Sequence, residues 1–318
     1  MKNNLLAGTS PHLHKKESVS RIMWAVFLSL IPAGVAGLYI FGPGALTVII
    51  LSIVSALLTE WLLQSAMKRK VTILDGSAAL TGLLLAYNLP AHVPFWLPIA
   101  GSVFAIAIGK QVFGGLGQNI FNPALAGRVF LMASWPKYMT TFTRPVNSWF
   151  SFDAIASATP LAALKEGKII DPVSYMDLFL GNRGGCIGEV CIAALLIGAA
   201  FLLLKGYISW HIPFSYIIST ALLMYIFGSE PLFAGDWIFH LLSGGLLLGA
   251  FFMATDYVTS ALTAKGQVIF GIGCGLLTAV IRILGGYPEG VSYAILMMNA
   301  AAPIIDRFTK SRIYGAEK

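Results

Sequence analysis

The chain has 318 residues, of which 57% are apolar and only 11% are charged, and its mean hydropathy is +0.78. A soluble domain carries about 25% charged residues, so this composition excludes a soluble enzyme, a disordered protein and a nucleic-acid-binding module. The net charge of +7 does not indicate a nucleic-acid partner, because the Lys and Arg residues are scattered between apolar runs. That distribution is typical of a multi-pass membrane protein.

Ten apolar runs follow one another along the chain, and a membrane-spanning helix needs about 20 mostly apolar residues. In chain order the runs are 22–42, 43–63, 76–90, 93–109, 122–134, 188–205, 211–228, 236–254, 266–284 and 288–306. The third and fifth are short and interrupted by Gly or Pro. We therefore predict an all-α membrane protein with about ten transmembrane helices.

The Lys and Arg residues predict the orientation, because cytoplasmic loops are enriched in them. With the N-terminus inside, 14 of the 21 fall in segments predicted to be cytoplasmic: Lys2, Lys15, Lys16, Arg21, Lys68, Arg69, Lys70, Lys110, Lys205, Lys265, Arg307, Lys310, Arg312 and Lys318. Both tails, 1–21 and 307–318, are then cytoplasmic. The polar insert 135–187 faces outward and separates two apolar halves, 22–134 and 188–306.

The two halves carry similar sequence patterns. Thr81-Gly82-Leu83-Leu84-Leu85 resembles Gly244-Gly245-Leu246-Leu247-Leu248, and a proline that opens another run follows each stretch at a similar distance, at Pro123 and Pro288. An odd number of spans in each half makes the second half inverted relative to the first. Inverted repeats place binding sites or conduits near the midplane, at broken helices. The alternative is that both stretches are simply common in apolar sequence.

The insert contains one short motif with two interpretations. Thr159-Pro160 predicts the start of a helix, since Thr is a good N-cap and Pro a good first residue. By local criteria alone, Thr159 is a cap and nothing more. A helix N-terminus also favours a phosphate group, so the threonine hydroxyl is alternatively placed to carry a phosphate ester.

The stretch Ser157–Leu161 (SATPL) resembles the Ser-x-Thr signature that carries FMN in one membrane-protein family. On this motif the chain is similar to the D subunits of the Rnf complex, an ion-translocating ferredoxin:NAD oxidoreductase. It is more distantly similar to the B subunit of the sodium-translocating NADH:quinone reductase. The stretches 75–90, 114–131, 254–261 and 286–306 extend the resemblance over nearly the whole chain.

The resemblance implies an integral-membrane flavoprotein subunit that relays electrons between ferredoxin and NAD in a complex translocating sodium or protons. FMN would be joined to Thr159 by a phosphoester, beside Ser157, through a flavin transferase. Other subunits would carry flavin and iron–sulfur centres, and the expected location is the bacterial or archaeal cytoplasmic membrane. The competing hypothesis is a secondary transporter or channel with inverted repeats and no redox role.

Ionisable residues within membrane segments are candidates for function. The resemblance points to Asp256 as an ion-pathway acid, while a charge at a helix end is the alternative. Asp75, on the same predicted side, is either a second ion-pathway acid or the cap of the following helix. Arg128 could hold a flavin phosphate or ring oxygen, or pair with Glu60.

Asn119 and Asn122 lie at the Asn-Pro break of the fifth run. They could bind a second, non-covalent flavin, as the riboflavin of the related B subunit suggests. They could equally satisfy the broken backbone, as any interrupted membrane helix requires. The five His residues are scattered and the three Cys residues form no recognisable site, so we expect no metal site.

Overall fold

A computed structural model describes residues 18–143, 156–157, 159–165, 174–287 and 289–310. Most of these residues are helical. The helices are α1 (Val19–Phe41), α2 (Pro43–Ala66), α3 (Ser77–Tyr87), α4 (Trp96–Ile106), α5 (Pro123–Ser134), α6 (Pro136–Thr140), α7 (Pro160–Lys165), α8 (Tyr175–Leu180), α9 (Ile192–Lys205), α10 (His211–Phe227), α11 (Trp237–Leu242), α12 (Leu246–Leu248), α13 (Ala264–Leu284) and α14 (Val291–Phe308). The prediction of a helical protein is confirmed for the described residues.

Short irregular segments adjoin three of these helices. A 3₁₀ turn, Ile73–Asp75, precedes α3. A π-helical segment, Ala107–Gln111, continues α4, and another, Gly249–Met253, continues α12. π-helical turns are rare in proteins, and those that do occur are often found at functional sites.

Within the described residues, three helices are long and apolar enough to cross a membrane: α1, α2 and α13. Four shorter helices, α3, α5, α9 and α10, are also apolar. Large apolar side chains remain exposed along the long helices, including Leu28, Val35, Ile50 and Leu58. Apolar helices with apolar outer faces suit a lipid environment, and the chain is a multi-pass membrane protein.

The eighth predicted run, 236–254, is not one continuous helix. It divides into α11 and α12 because Gly244 adopts a left-handed conformation with φ of +70°, which glycine reaches without steric cost. The suggested sequence repeat also differs in structure at this point. Thr81–Leu85 lies inside α3, whereas Gly244 and Gly245 form the break before α12.

Helix packing follows a similar order on both sides of the insert. α2 packs against α3 and α4, and α10 packs against α11 and α13. Next along the chain, α4 packs against α5 and α13 packs against α14. The N-terminal and C-terminal groups of helices meet where α1 lies against α9 and α5 lies against α14.

The insert contributes α6, α7 and α8 and one small exception to the helical fold. Two-residue strands, β1 (Phe142–Thr143) and β2 (Ala156–Ser157), pair antiparallel with Phe142 opposite Ser157. This pairing places the backbone just before Thr159. The side chain of Ser157 and most of both predicted tails lie outside the described residues.

Candidate functional site

A pocket of about 270 Å³ lies beside the short helix α7 of the insert. We call it the outer pocket, since the ends of α10, α11 and α13 that form it are all predicted to face outward. Its lining includes Leu161, Lys165, His240 and Arg282. Nitrogen-bearing side chains dominate its polar surface, so the pocket is chemically suited to an anionic group.

Thr159 is buried at the start of α7, with 3% of its surface exposed. Its Oγ1 accepts a hydrogen bond from the Ala162 N–H at 3.2 Å, which is the contact of an N-cap residue. The predicted helix start at Thr159-Pro160 is therefore confirmed. Leu161, two residues further on, lines the outer pocket, so the Thr159 hydroxyl lies close to it along the chain.

Lys165, the last residue of α7, connects that helix to the C-terminal end of α13. Its Nζ donates to the carbonyl of Tyr287 at 2.9 Å and to that of Arg282 at 3.3 Å, and it also contacts the Gly285 carbonyl. Partial burial lowers the pKa of Lys165 from its ordinary value. These contacts hold the insert helix against the second half of the chain.

A buried charge cluster lies between the two halves. The Arg128 guanidinium forms an ion pair with Glu289 and donates to the Asn88 side-chain oxygen. Close by, Glu189 Oε1 accepts from the Cys186 N–H at 3.0 Å. Burial of an ion pair is tolerated only when the charges are compensated, and this pair joins α5 to the start of α14.

The Gly244-Gly245 turn lies between the charge cluster and α7. A Cβ at Gly244 would lie 2.9 Å from the Leu161 side chain and 3.3 Å from Arg282 Nη2. At Gly245 it would lie 3.0 Å from Glu189 Oε2. The positive φ of Gly244 favours glycine there, and an added Cβ at either position would crowd a neighbouring side chain, so the turn is in contact with both the pocket wall and the buried charges.

Several buried polar atoms in this region have no hydrogen-bond partner among the described residues. They are Arg183 Nε, Glu189 Oε2, His240 Nδ1, Ser243 Oγ, Arg282 Nε and Glu289 Oε1. Buried polar atoms in folded proteins are nearly always paired. Of these six residues, His240 and Arg282 line the outer pocket, so a polar group bound there would meet two nitrogens that have no partner among the described residues.

A second cavity of about 80 Å³ lies at the opposite ends of the helices. We call it the inner cavity, because the helix ends that form it are predicted to face the cytoplasm. Polar side chains that line it include Ser77, Lys110, Asn119, Asn122 and Asp256. Apolar and aromatic side chains form the rest of the wall, among them Leu80, Leu84, Phe251 and Phe252.

The two asparagines at the helix break have different roles. Asn122 Oδ1 accepts from the N–H groups of Ala124 and Leu125, and its Nδ2 donates to the Met253 carbonyl at 3.2 Å. Asn122 thus satisfies the broken backbone and caps α5. Asn119 donates to the Phe121 carbonyl at 3.1 Å, but its Oδ1 is buried and has no partner in the described part of the chain.

The two predicted ion-pathway acids occupy different surroundings. Asp256 lines the inner cavity, where it accepts from Thr259 Oγ1 at 3.0 Å. Asp75 precedes α3 and accepts from the Ser77 N–H at 2.7 Å and from its hydroxyl at 2.6 Å. Asp75 therefore supports the turn that leads into α3, but the N-cap of that helix is Gly76, so the prediction that Asp75 is the cap is wrong by one residue.

Comparison with known proteins identifies the family. A family model described as NQR2, RnfD, RnfE matches residues 6–315. The chain belongs to this family. It is 51% identical over 318 residues to the D subunit of the Na(+)-translocating ferredoxin:NAD(+) oxidoreductase complex of Acetobacterium woodii, covering 99% of this chain and 96% of the relative. The predicted resemblance to the D subunits of Rnf complexes is confirmed.

Two further relatives of the NQR2, RnfD, RnfE family match over nearly their full lengths. The D subunit of a proton-translocating ferredoxin:NAD(+) oxidoreductase complex of Clostridium ljungdahlii is 47% identical over 326 residues, covering 100% of this chain and 98% of the relative. The D subunit of an ion-translocating oxidoreductase complex of Escherichia coli is 39% identical over 348 residues, covering 98% of each. The names of two relatives specify different ions, sodium for one and protons for the other, although their identities to this chain, 51% and 47%, are similar.

In this family member, the suggested pairing of Glu60 with Arg128 is wrong. Glu60 on α2 pairs with Lys110 at 2.8 Å, because α2 packs against α4 and its π-helical extension. Arg128 instead meets Glu289. Lys110, which sequence analysis placed in a cytoplasmic segment, is buried, with 1% of its surface exposed.

The functional candidates that sequence analysis missed are Lys110, Glu289, Glu189 and Arg282. All four are charged residues near helix ends, where the sequence suggests exposure to water. Only the folded chain shows that they are buried. The described residues contain no group of three His, Cys, Asp or Glu side chains that could hold a metal ion.

Proposed function

We propose that the chain is the flavin-carrying membrane subunit of a redox-driven, ion-translocating ferredoxin:NAD oxidoreductase complex, with FMN esterified to Thr159. The observation that carries this proposal is the position of Thr159, which caps α7, the helix whose Leu161 and Lys165 line the outer pocket, in a chain that matches the D subunits of Rnf complexes from end to end. FMN supplies electron transfer in one-electron or two-electron steps. The protein supplies its attachment, its orientation and its electrostatic surroundings.

The residues of the outer pocket fit such a group. Lys165, His240 and Arg282 bring nitrogen donors to one cavity wall, and the orphaned His240 and Arg282 nitrogens lack partners among the described residues. His240 Nδ1 and Arg282 Nε would hold the phosphate or the ring oxygens, while Lys165, whose Nζ already contacts three carbonyl groups, would add positive charge beside them. Arg128 is engaged by Glu289 and Asn88, so its part is to balance charge behind the pocket.

A second, non-covalent flavin such as riboflavin is proposed at the inner cavity, which has to widen to admit it because pockets for ligands of this size are usually about 300–1,000 Å³. The aromatic rings of Phe251 and Phe252 line it, and the unpartnered oxygen of Asn119 supplies a free acceptor within the described structure. Flavins at both positions would give electrons a route between the two sides of the membrane. Flavin and iron–sulfur centres on other subunits would connect this route to ferredoxin and NAD, and a flavin transferase would attach the FMN.

The proposed topology has about ten spans in two inverted halves, with both termini cytoplasmic and residues 135–187 outside. The recurrent packing order of α2–α5 and α10–α14 supports it. So does the grouping of predicted outward ends at the outer pocket and of predicted cytoplasmic ends at the inner cavity. We place the protein in a bacterial or archaeal cytoplasmic membrane.

The attachment site is tested by intact-mass measurement on the subunit from the whole complex, produced in a host that contains the flavin transferase. We expect the wild-type chain to carry the added mass of one FMN, and Thr159→Ala to lack it, because alanine has no hydroxyl to esterify. Thr141→Ala, at an exposed threonine of the same insert, is the matched control and should keep the flavin.

Two outcomes would contradict the proposal. A flavin mass that persists in Thr159→Ala would place the ester elsewhere. A native chain with no flavin mass, combined with substrate uptake by the purified chain alone, would favour the secondary-transporter hypothesis.

A further inference from the structure

We propose that Lys110 and Ser77 form a proton relay between the inner cavity and the carboxylate of Asp75. Both Lys110 and Ser77 line the inner cavity. Asp75 is partly exposed at the end of the 3₁₀ turn before α3. The relay therefore joins an enclosed site to a carboxylate that water reaches.

The relay is a continuous chain of short hydrogen bonds. Lys110 Nζ donates to Ser77 Oγ at 2.6 Å, and the Ser77 hydroxyl donates to Asp75 Oδ1 at 2.6 Å. Both donors point in the same direction, from the cavity toward the surface. This polarity is the arrangement needed to pass a proton outward from the cavity.

The hydrogen bonds around Glu60 allow Lys110 to lose a proton and become neutral. Lys110 Nζ lies 2.8 Å from each Glu60 carboxylate oxygen. Glu60 also accepts from Gln64 Nε2 at 3.0 Å and from Gln111 Nε2 at 3.2 Å. When Lys110 is neutral, these two amide donors still hold the buried carboxylate, which reduces the cost of leaving it without its cation.

Lys110 lies in the π-helical segment Ala107–Gln111, where the winding differs from that of an α-helix. Neighbouring residues of an α-helix point about 100° apart, because each turn holds 3.6 residues. Here Lys110 and Gln111 both contact Glu60, which the locally altered winding permits. A cytoplasmic-side lysine is thereby turned into the protein instead of toward water.

Three acidic groups face the relay from the surrounding elements. Glu60 comes from α2, Asp75 from the 3₁₀ turn, and Asp256 lies on the cavity wall after the second π-helical segment. Asp256 is held by Thr259. Glu60 accepts directly from Lys110 but is fully buried, whereas Asp75 is the partly exposed acid that the hydrogen bonds reach through Ser77.

A flavin bound in the cavity would supply one proton to the relay on each one-electron oxidation. One N–H bond of the Lys110 ammonium breaks and its proton passes to Ser77 Oγ, while the original hydroxyl proton of Ser77 passes to Asp75. The neutral Lys110 amine would then take up the proton that the flavin loses when it gives one electron to a flavin or iron–sulfur centre of another subunit. Asp75 releases its proton to water, and reduction of the occupant runs the same steps in reverse.

This inference relies on the proposed function for its redox occupant and is tested on the purified whole complex. The complex is reduced with methyl viologen radical and then mixed rapidly with ferricyanide. Each reagent transfers one electron and no proton. A pH-indicator dye in weak buffer follows proton release, and flavin absorbance follows electron transfer. We expect Ser77→Ala and Asp75→Asn each to slow proton release at least about tenfold while flavin oxidation begins at the wild-type rate.

Ser102→Ala is the matched control, since Ser102 is a buried serine whose hydroxyl donates to the Ser52 carbonyl at 3.0 Å, apart from the relay. It should release protons as fast as the wild type. Wild-type proton release in both relay variants, or no proton release in the wild type, would overturn the relay. A missing FMN mass on Thr159 would overturn the covalent attachment instead, so the two failures are distinguishable.

Discussion

The buried charges of this protein are paired across long distances in sequence, and the pairs decide which substitutions it tolerates. Arg128 and Glu289 are both largely buried, with side-chain exposures of 5% and 9%. An ion pair taken out of water contributes little net stability. Removing one partner is costly because the other charge stays buried and unpaired.

At this scale, Glu289→Gln should lower the free energy of unfolding by about 3 kcal/mol. The glutamine keeps the shape of the side chain but removes the charge that compensates Arg128. Denaturant unfolding of the purified chain in detergent measures the change. Glu230→Gln, at an exposed glutamate of the 229–236 connection, should shift stability by no more than about 0.5 kcal/mol. Equal effects of the two variants would show that the ion pair is not structurally important.

At the scale of the element, close approach between helices depends on glycine. α3 is buried along its whole length and packs against α2. A Cβ at Gly82 would lie 2.7 Å from the Ser52 carbonyl oxygen and 2.8 Å from the Ile53 Cα. Small residues at such contacts let membrane helices approach closely.

Gly82→Ala should therefore push α3 away from α2 and destabilise the protein by about 1–3 kcal/mol, the usual cost of overpacking. Gly286→Ala is the matched control, because no atom lies within 4 Å of a Cβ added there. Thermal unfolding in detergent compares the two. If Gly82→Ala is as stable as Gly286→Ala, then α2 and α3 can move apart without a loss of stability.

At the scale of the whole molecule, the two candidate sites lie at opposite ends of the helices. The outer pocket is formed by connections predicted to face outward, and the inner cavity by connections predicted to be cytoplasmic. The Lys and Arg distribution predicts which end faces the cytoplasm. This orientation decides on which side of the membrane Thr159 lies.

Cysteine labelling in intact cells tests the orientation. Glu230→Cys, on the predicted outer side, should react with a membrane-impermeant maleimide. Lys265→Cys, at the start of α13 on the predicted cytoplasmic side, should react only after the membrane is permeabilised. Both positions are exposed, and the unsubstituted chain with its three free cysteines supplies the background. The reverse pattern would place Thr159 on the cytoplasmic side.

The amino-acid sequence by itself determined the helical membrane character, the helix start at Thr159 and the family resemblance. Each depends on local information, namely runs of apolar residues, a cap residue followed by proline, and a short ordered motif. The division of the run 236–254 was not predicted, although Gly244-Gly245 was visible there. Gly244 lies between Leu161 of α7 and Arg282 of α13, and these contacts with distant residues are not visible in the local sequence.

The tertiary structure alone decided which charges meet. Lys110 is 50 residues from Glu60, and Arg128 is 161 residues from Glu289. No periodicity links such positions, so a lysine counted as cytoplasmic proves to be buried and a suspected Glu60–Arg128 pair does not form. Pairing of charges depends on which helices pack together, and that is settled by the shapes of whole faces and by glycine contacts. Local patterns along the chain do not contain that information.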